Sequence, residues 1–433
     1  MRDFLQRYFQ LDHHRTDVRT ELIAGATTFL SMAYITVVNP TILSDAGMDF
    51  GAVFVATCIA AAVGSLFMGL WANYPIAQAP GMGQNAFFTY GIVLGLGHTW
   101  EAALGAVFVS GVIFVILSVL PVREWLINAI PKNLKLGIAA GIGLFLGFIA
   151  LKNAGVVVAN PATLITFGDM AAPGVIICLA GFALIVALTA RGVTGAVIIG
   201  MLVATALGLA VGAAEYQGVV AAPPSLSPVL FKFDLMAVLD VSMVTVVLTM
   251  LLVDVFDTAG TLVGVSNRAG LTDADGKLPR LGRALLSDSA ATVVGAVAGT
   301  SSTTSYIESA AGVESGGRTG LVAVTAAGLF LLCLFFAPLA QTIPPFATSA
   351  ALLFVACLMA KSLSELDWQD PTESAPAIVC ALGMPFSFSI ADGIGLGFIT
   401  YVAIKVMSGR AAECPVAVYV IGAIFLGKFL FLS

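Results

Sequence analysis

Twelve apolar stretches of 16–25 residues, about the length of a helix that crosses a bilayer, follow one another along the chain at 21–38, 51–71, 102–120, 134–151, 173–190, 193–212, 242–266, 283–299, 319–337, 345–361, 374–389 and 391–407. A helical span takes about 17–25 such residues. Lipid leaves open only structures that satisfy their own backbone hydrogen bonds. Of the 433 residues 59% are hydrophobic and only 10% charged, against roughly 25% charged in soluble domains. The reading is an all-α integral membrane protein with little mass outside the bilayer. Cys58, Cys178, Cys333, Cys357, Cys380 and Cys414 lie in or beside apolar segments without paired or metal-like spacing, so they read as small core residues. The polar N-terminus carries no cleavable apolar signal region.

Two further crossings, near 78–94 and 300–314, are shorter and more polar. They bring the expected number to fourteen, with an apolar tail at 415–431. Charge asymmetry tests that number, because cytoplasmic segments are enriched in Lys and Arg. With the N-terminus inside, Arg2, Arg7, Arg15, Arg19, Arg123, Lys132, Lys135, Arg191, Arg268, Lys277, Arg280, Arg283, Arg318, Lys361, Lys405 and Arg410 are cytoplasmic, while only Lys152 and Lys232 are external. Omitting either short crossing would reverse every segment after it.

The second half echoes the first. MAAPGVIICLAGF (170–182) is similar to ESAPAIVCALGMP (373–385), and the short polar crossings are third in each set of seven. Seven is odd, so the two sets run oppositely through the bilayer. Inverted repeats with interrupted segments at matching places point to a transporter site near the midplane.

The interrupted segments are AQAPGMGQNAFFTYG (77–91) and GTSSTTSYIESAAG (299–312). Pro80, Gly81 and Gly83 suit extended backbone better than helix, and the hydroxyl-rich run before Tyr306 favours a strand. Each segment is expected to be an extended half followed by a half-helix, with Asn85 and Glu308 facing each other near the helix starts. Serines and threonines could simply bond carbonyls in a buried helix, but that leaves Glu308 unexplained. In LLVDVFDTAGTLVG (251–264), Asp254 and Asp257 are spaced i,i+3, with Thr258 and Thr261 continuing the face. Carboxylates inside a membrane are costly and mark ion or substrate paths. The first span offers Thr27, Thr28 and Ser31. No Lys or Arg lies deep in a span nearby, and His13, His14 and His98 fall in terminal or loop sequence, so carboxylates would have to carry any proton.

ATTFLSMAYITVVNP (26–40), APGMGQNAFF (79–88), DVFDTAGTL (254–262) and SYIESAAG (305–312) together resemble the AzgA-like purine permeases, a branch of the nucleobase–ascorbate transporter superfamily. The resemblance covers essentially the whole chain. It implies a core domain of spans 1–4 and 8–11 (1–120 and 242–337) and a gate domain of spans 5–7 and 12–14 (121–212 and 345–407), with 408–433 as a tail. It implies short strand and half-helix pairs at spans 3 and 10, and elevator-like movement of core against gate. It implies that Asp257 and Glu308 hold the base, that Asn85 is the span 3 asparagine, that Asp254 is characteristic of the branch, and that two copies pair through their gate domains.

A purine offers a flat face and hydrogen-bonding edges. Carboxylates accept from adjacent N–H groups, Asn suits mixed edges, and an aromatic such as Phe88 could stack on the ring. The expected substrate site is Asn85, Asp257, Glu308, Phe88, Thr28 and Gly83, with proton coupling through Asp257, Asp254 and Glu308. The expected function is proton-coupled import of guanine or hypoxanthine, with adenine and xanthine open, across the cell membrane. No metal, nucleic acid or cofactor beyond the coupling ion is expected. A passive channel and an anion transporter of the same architecture are the alternatives; carboxylates at the site would repel an anion. Nothing in the sequence makes a nucleophile–base pair or phosphate loop for a membrane enzyme.

Overall fold

The computed structural model describes residues 2–120, 130–273 and 278–431; Arg123 and Lys277 of the charge count lie outside them. The chain is mostly helical, and ten of its described helices are long and apolar enough to cross a membrane. A short amphipathic helix α1 (Arg2–Phe9) precedes the first span. That span is longer than the sequence suggested and is broken. Helix α2 (Val18–Met32), capped by Asp17, gives way at Ala33–Tyr34 to α3 (Ile35–Asp45). Thr36 and Val37 bond back to Ala33 and Tyr34 in tight i→i+3 turns at the break. Tyr34 is therefore set at a corner rather than mid-helix.

Helix α4 (Phe50–Phe67) leads to the first polar crossing. There β1 (Gln78–Pro80) is followed by α5 (Met82–Ala86), which continues as a π-helical turn through Phe87–Val93. After α6 (Trp100–Val119), α7 (Lys132–Asn153), α8 (Pro173–Ala190), α9 (Ala196–Ala210), α10 (Val241–Ala269) and α11 (Leu281–Ala298), β4 (Thr303–Ser305) and α12 (Ser309–Glu314) form the second. The two strands pair antiparallel, Gln78 opposite Ser305 and Pro80 opposite Thr303. Gly81 N–H donates to Ser302 O at 2.8 Å, and the Tyr306 hydroxyl donates to Pro80 O at 2.6 Å. Extended backbone at this depth must find its partners within the protein, and here each crossing supplies the other's. The helix after β4 is six residues long and starts just after Glu308.

One element was not anticipated. Strands β2 (Val157–Asn160) and β3 (Leu164–Phe167) form a hairpin between α7 and α8. The Asn160 side-chain oxygen closes its turn by accepting from the N–H groups of Ala162 and Thr163.

Helices α13 (Gly320–Cys333), α14 (Ala337–Thr342), α15 (Pro345–Ala360), α16 (Pro371–Ser387) and α17 (Ile390–Met407) follow, and the tail folds as α18 (Val416–Phe431). The tail helix packs on α17, and Lys428 near its end pairs with Asp392 near the start of α17 at 2.6 Å. The two helices are thus antiparallel over most of their length. Packing sorts the helices into two groups. In one, α2 and α4 pack on α13, α4 and α6 pack on α11, and α12 packs on α2 and α10. In the other, α7 packs on α15 and α16, α8 on α9 and α15, and α16 on α17. They meet where α5 touches α7, α3 touches α15, and α10 touches α7, α17 and α18.

Candidate functional site

Helix α10 presents its two aspartates to different surroundings. Asp254 is buried, and its carboxylate is saturated. Oδ1 accepts from Gln84 Nε2 at 3.0 Å, and Oδ2 lies 3.0 Å from the Thr292 hydroxyl and 2.9 Å from that of Ser302. One carboxylate thereby ties α10 to α5, α11 and the approach to β4. Asp257, one turn later, is exposed, as is Gly260, around which nothing lies within 4 Å of a notional Cβ. The i,i+3 pair was expected to share a face. The helix instead turns Asp254, Thr258 and Thr261 inward and Asp257 and Gly260 outward.

Glu308 stands at the start of α12 and is partly exposed. The Tyr34 hydroxyl donates to its Oε1 at 2.5 Å, a bond between residues 274 apart in sequence. Helix α12, which Glu308 begins, packs on α10, which carries Asp257. Gly264, further along the exposed face of α10, has Ile307 as its neighbour. The two acids thus lie on accessible surface of two helices that pack on each other, and α10 is the element of the first group that also reaches α7 and α17. None of the ion pairs among the described residues involves Asp254, Asp257 or Glu308.

The other four expected site residues are buried. Asn85 is fully buried, and its side-chain carbonyl accepts from Ser301 of the opposite crossing instead of facing Glu308. Its amide nitrogen has no partner among the described residues. Phe88 is also fully buried. It falls in the π-helical turn and joins the apolar core, so it offers no open ring face here. Thr28 is buried against α12, where a Cβ on Gly312 would collide with its hydroxyl. Gly83 faces α7, and a side chain there would run into Ile142. These positions fix elements against one another; of the six expected residues, Asp257 and Glu308 are the ones with accessible surface.

Sequence reasoning passed over Asp288, on α11. It is fully buried, with Oδ1 accepting from Gln78 Nε2 at 3.0 Å and Ser305 Oγ at 2.7 Å, and Oδ2 from Thr258 Oγ1 at 2.5 Å. Asp288 belongs to no ion pair among the described residues. The signal was present: a lone carboxylate in the apolar run 283–299, as costly there as the pair on α10. Asp288 and Asp254 together clamp both strands to their flanking helices.

Comparison with known proteins places this geometry in company. The Xan_ur_permease model, described as Permease family, matches residues 19–396. Adenine permease AdeP of Escherichia coli (strain K12) is 47% identical over 99% of this chain and 96% of its own length. Guanine/hypoxanthine permease PbuO of Bacillus subtilis (strain 168) is 45% identical over 96% of this chain and 98% of its own. Among solved structures, the transmembrane domain of the cyanobacterial bicarbonate transporter BicA superposes with a TM-score of 0.65, covering 86% of this chain and 97% of that one, at 15% identity. That likeness speaks to the fold alone.

Proposed function

The chain belongs to the Permease family, the nucleobase–ascorbate transporters, and from that premise we propose that it imports purine nucleobases across the cell membrane, with guanine and hypoxanthine preferred and adenine and xanthine as further candidates. The observation that carries the reading is the contrast between saturated and open carboxylates. Asp254 and Asp288 have their oxygens occupied by protein donors, whereas Asp257 is exposed and Glu308 has one described side-chain donor. Two accessible acceptor groups on adjoining helices match the adjacent N–H donors on a purine edge. The same acids disfavour an anion. Asn85, Phe88, Thr28 and Gly83 support the site from behind.

In this reading Asp257 carries the coupling proton, so that the membrane is not crossed with two uncompensated charges, and no other cofactor takes part. Asp254, fixed by three partners, holds α10 in place beside it. The group containing the paired strands is the core (spans 1–4 and 8–11). The group around α7 and α15–α17 is the gate (spans 5–7 and 12–14). The fourteen crossings, counting the two interrupted ones, form two inverted repeats of seven, with the N-terminus in the cytoplasm. Core movement against the gate gives elevator-type alternating access, and two copies pair through their gates within the lipid.

Uptake of labelled hypoxanthine into proteoliposomes tests the reading. Unlabelled purines compete, a protonophore abolishes accumulation, and Glu308→Gln raises KM by about 10-fold or more, the scale of a lost hydrogen bond to a charged acceptor. Unchanged uptake with normal affinity in Glu308→Gln sinks the proposal.

A further inference from the structure

We infer that Tyr34 is a positioning residue for this site: its phenol fixes the Glu308 carboxylate by one oxygen and leaves the other, Oε2, to the substrate. The inference rests on the reading of Glu308 as a base-binding group. Its own support is geometric. Tyr34 OH donates to Glu308 Oε1 at 2.5 Å, and Tyr34 is 1% exposed while Glu308 is partly open. The phenol is thus enclosed by protein, and the carboxylate it holds is partly exposed.

The scaffold around the pair makes the phenol a fixed donor. Tyr34 sits at the corner between α2 and α3, where tight turns close the backbone. Ala24 and Thr28, on α2, pack against Gly312, one turn beyond Glu308 on α12. Tyr306, two residues before Glu308, is held by its hydroxyl to Pro80 O. Both ends of the hydrogen bond are therefore anchored by contacts that do not pass through Glu308.

A free glutamate has three rotatable side-chain bonds, and freezing such a side chain costs about 1.5–2 kcal/mol of entropy. A carboxylate already held by one oxygen has lost most of that freedom before substrate arrives, so binding is stronger. Tyr34 touches no part of the proposed base; it acts through Glu308.

The experiment measures KM and maximal rate of hypoxanthine uptake separately in proteoliposomes, together with thermal melting of the purified proteins. Tyr34→Phe removes one oxygen and keeps the ring. We expect KM to rise about 5- to 20-fold, with maximal rate and melting temperature retained. In a Glu308→Gln background, which already removes the charged acceptor, Tyr34→Phe should change KM by less than about 2-fold. Glu308→Asp is the second probe, because shortening by one methylene draws the carboxylate away from the phenol; it too should raise KM. An unchanged KM in Tyr34→Phe overturns the assignment and leaves the site standing, as does an equal factor in both backgrounds. So does a fall in melting temperature and maximal rate with KM unmoved, which is the mark of a structural role. An unchanged KM in Glu308→Gln overturns the site and this assignment together.

Discussion

Asp254 and Asp257 are separated by one helical turn and carry opposite structural burdens. Asp254 bonds Gln84, Thr292 and Ser302, so Asp254→Ala takes the acceptor from the buried Gln84 amide and leaves the two hydroxyls to each other and to Thr303 O. The expected loss is about 2–3 kcal/mol, read as a lower melting temperature in detergent. Asp257 has no such web among the described residues and is exposed. Asp257→Ala is expected to melt within about 0.5 kcal/mol of wild type while losing purine uptake. Equal destabilisation by the two substitutions would contradict the division of labour. The acidic residues themselves were legible in the sequence, because carboxylates inside apolar segments stand out. Which of them are sated by hydroxyls was not: the donors Gln84, Thr292 and Ser302 come from three other elements.

Among the elements, the two interrupted crossings matter most. Pro80, Gly81 and the hydroxyl run foretold extended backbone, and strands form at 78–80 and 303–305. Their pairing with each other could not be read from either segment. It depends on the second crossing meeting the first more than 200 residues later, and on Asp288 bracing both strands through Gln78 and Ser305. The half-helix α5 meets α7 at Gly83, against Ile142. Gly83→Val overpacks that crossing and is expected to cost about 1–3 kcal/mol, measured by thermal melting. Gly83→Val with Ile142→Ala should recover most of the loss. No recovery would mean that the glycine is needed for its backbone rather than for the space it leaves.

At the scale of the molecule, a charged cluster closes one end of the α7 group. Lys405, fully buried, reaches Glu373 at 2.8 Å and Glu413 at 3.1 Å, and Arg410 pairs with Asp370 at 2.7 Å. The Thr372 hydroxyl, and after it Arg410, holds the Asp370 carboxyl down to about 2 from its ordinary 3.8. A depressed carboxyl stabilises the fold above its unfolded value and loses that contribution as pH falls through the folded one. Asp370→Asn should therefore melt below wild type at neutral pH, and the gap should close between pH 3.8 and about 2. A gap that persists unchanged to the acid end would assign the effect to packing. At the opposite end, Tyr90 of the strand-bearing group donates to Asp45 at 2.6 Å and accepts from Asn153 of α7 at 3.1 Å, joining the two groups.

The sequence by itself determined a mostly helical membrane protein, extended backbone in the two polar segments, the presence of acids without a cation within apolar runs and, through four co-linear motifs, the family. These follow from local composition, because lipid allows few backbone forms and penalises each buried charge. Tertiary structure alone decided that α10 turns one aspartate inward and the other out, that Asn85 and Phe88 are enclosed, that Asp288 braces the strands, and that a tyrosine from the first span holds Glu308. Each of these is a contact between elements far apart in the chain. The physical reason is that a hydrogen-bond partner or a packing neighbour is set by where helices cross, and no local pattern of residues encodes that.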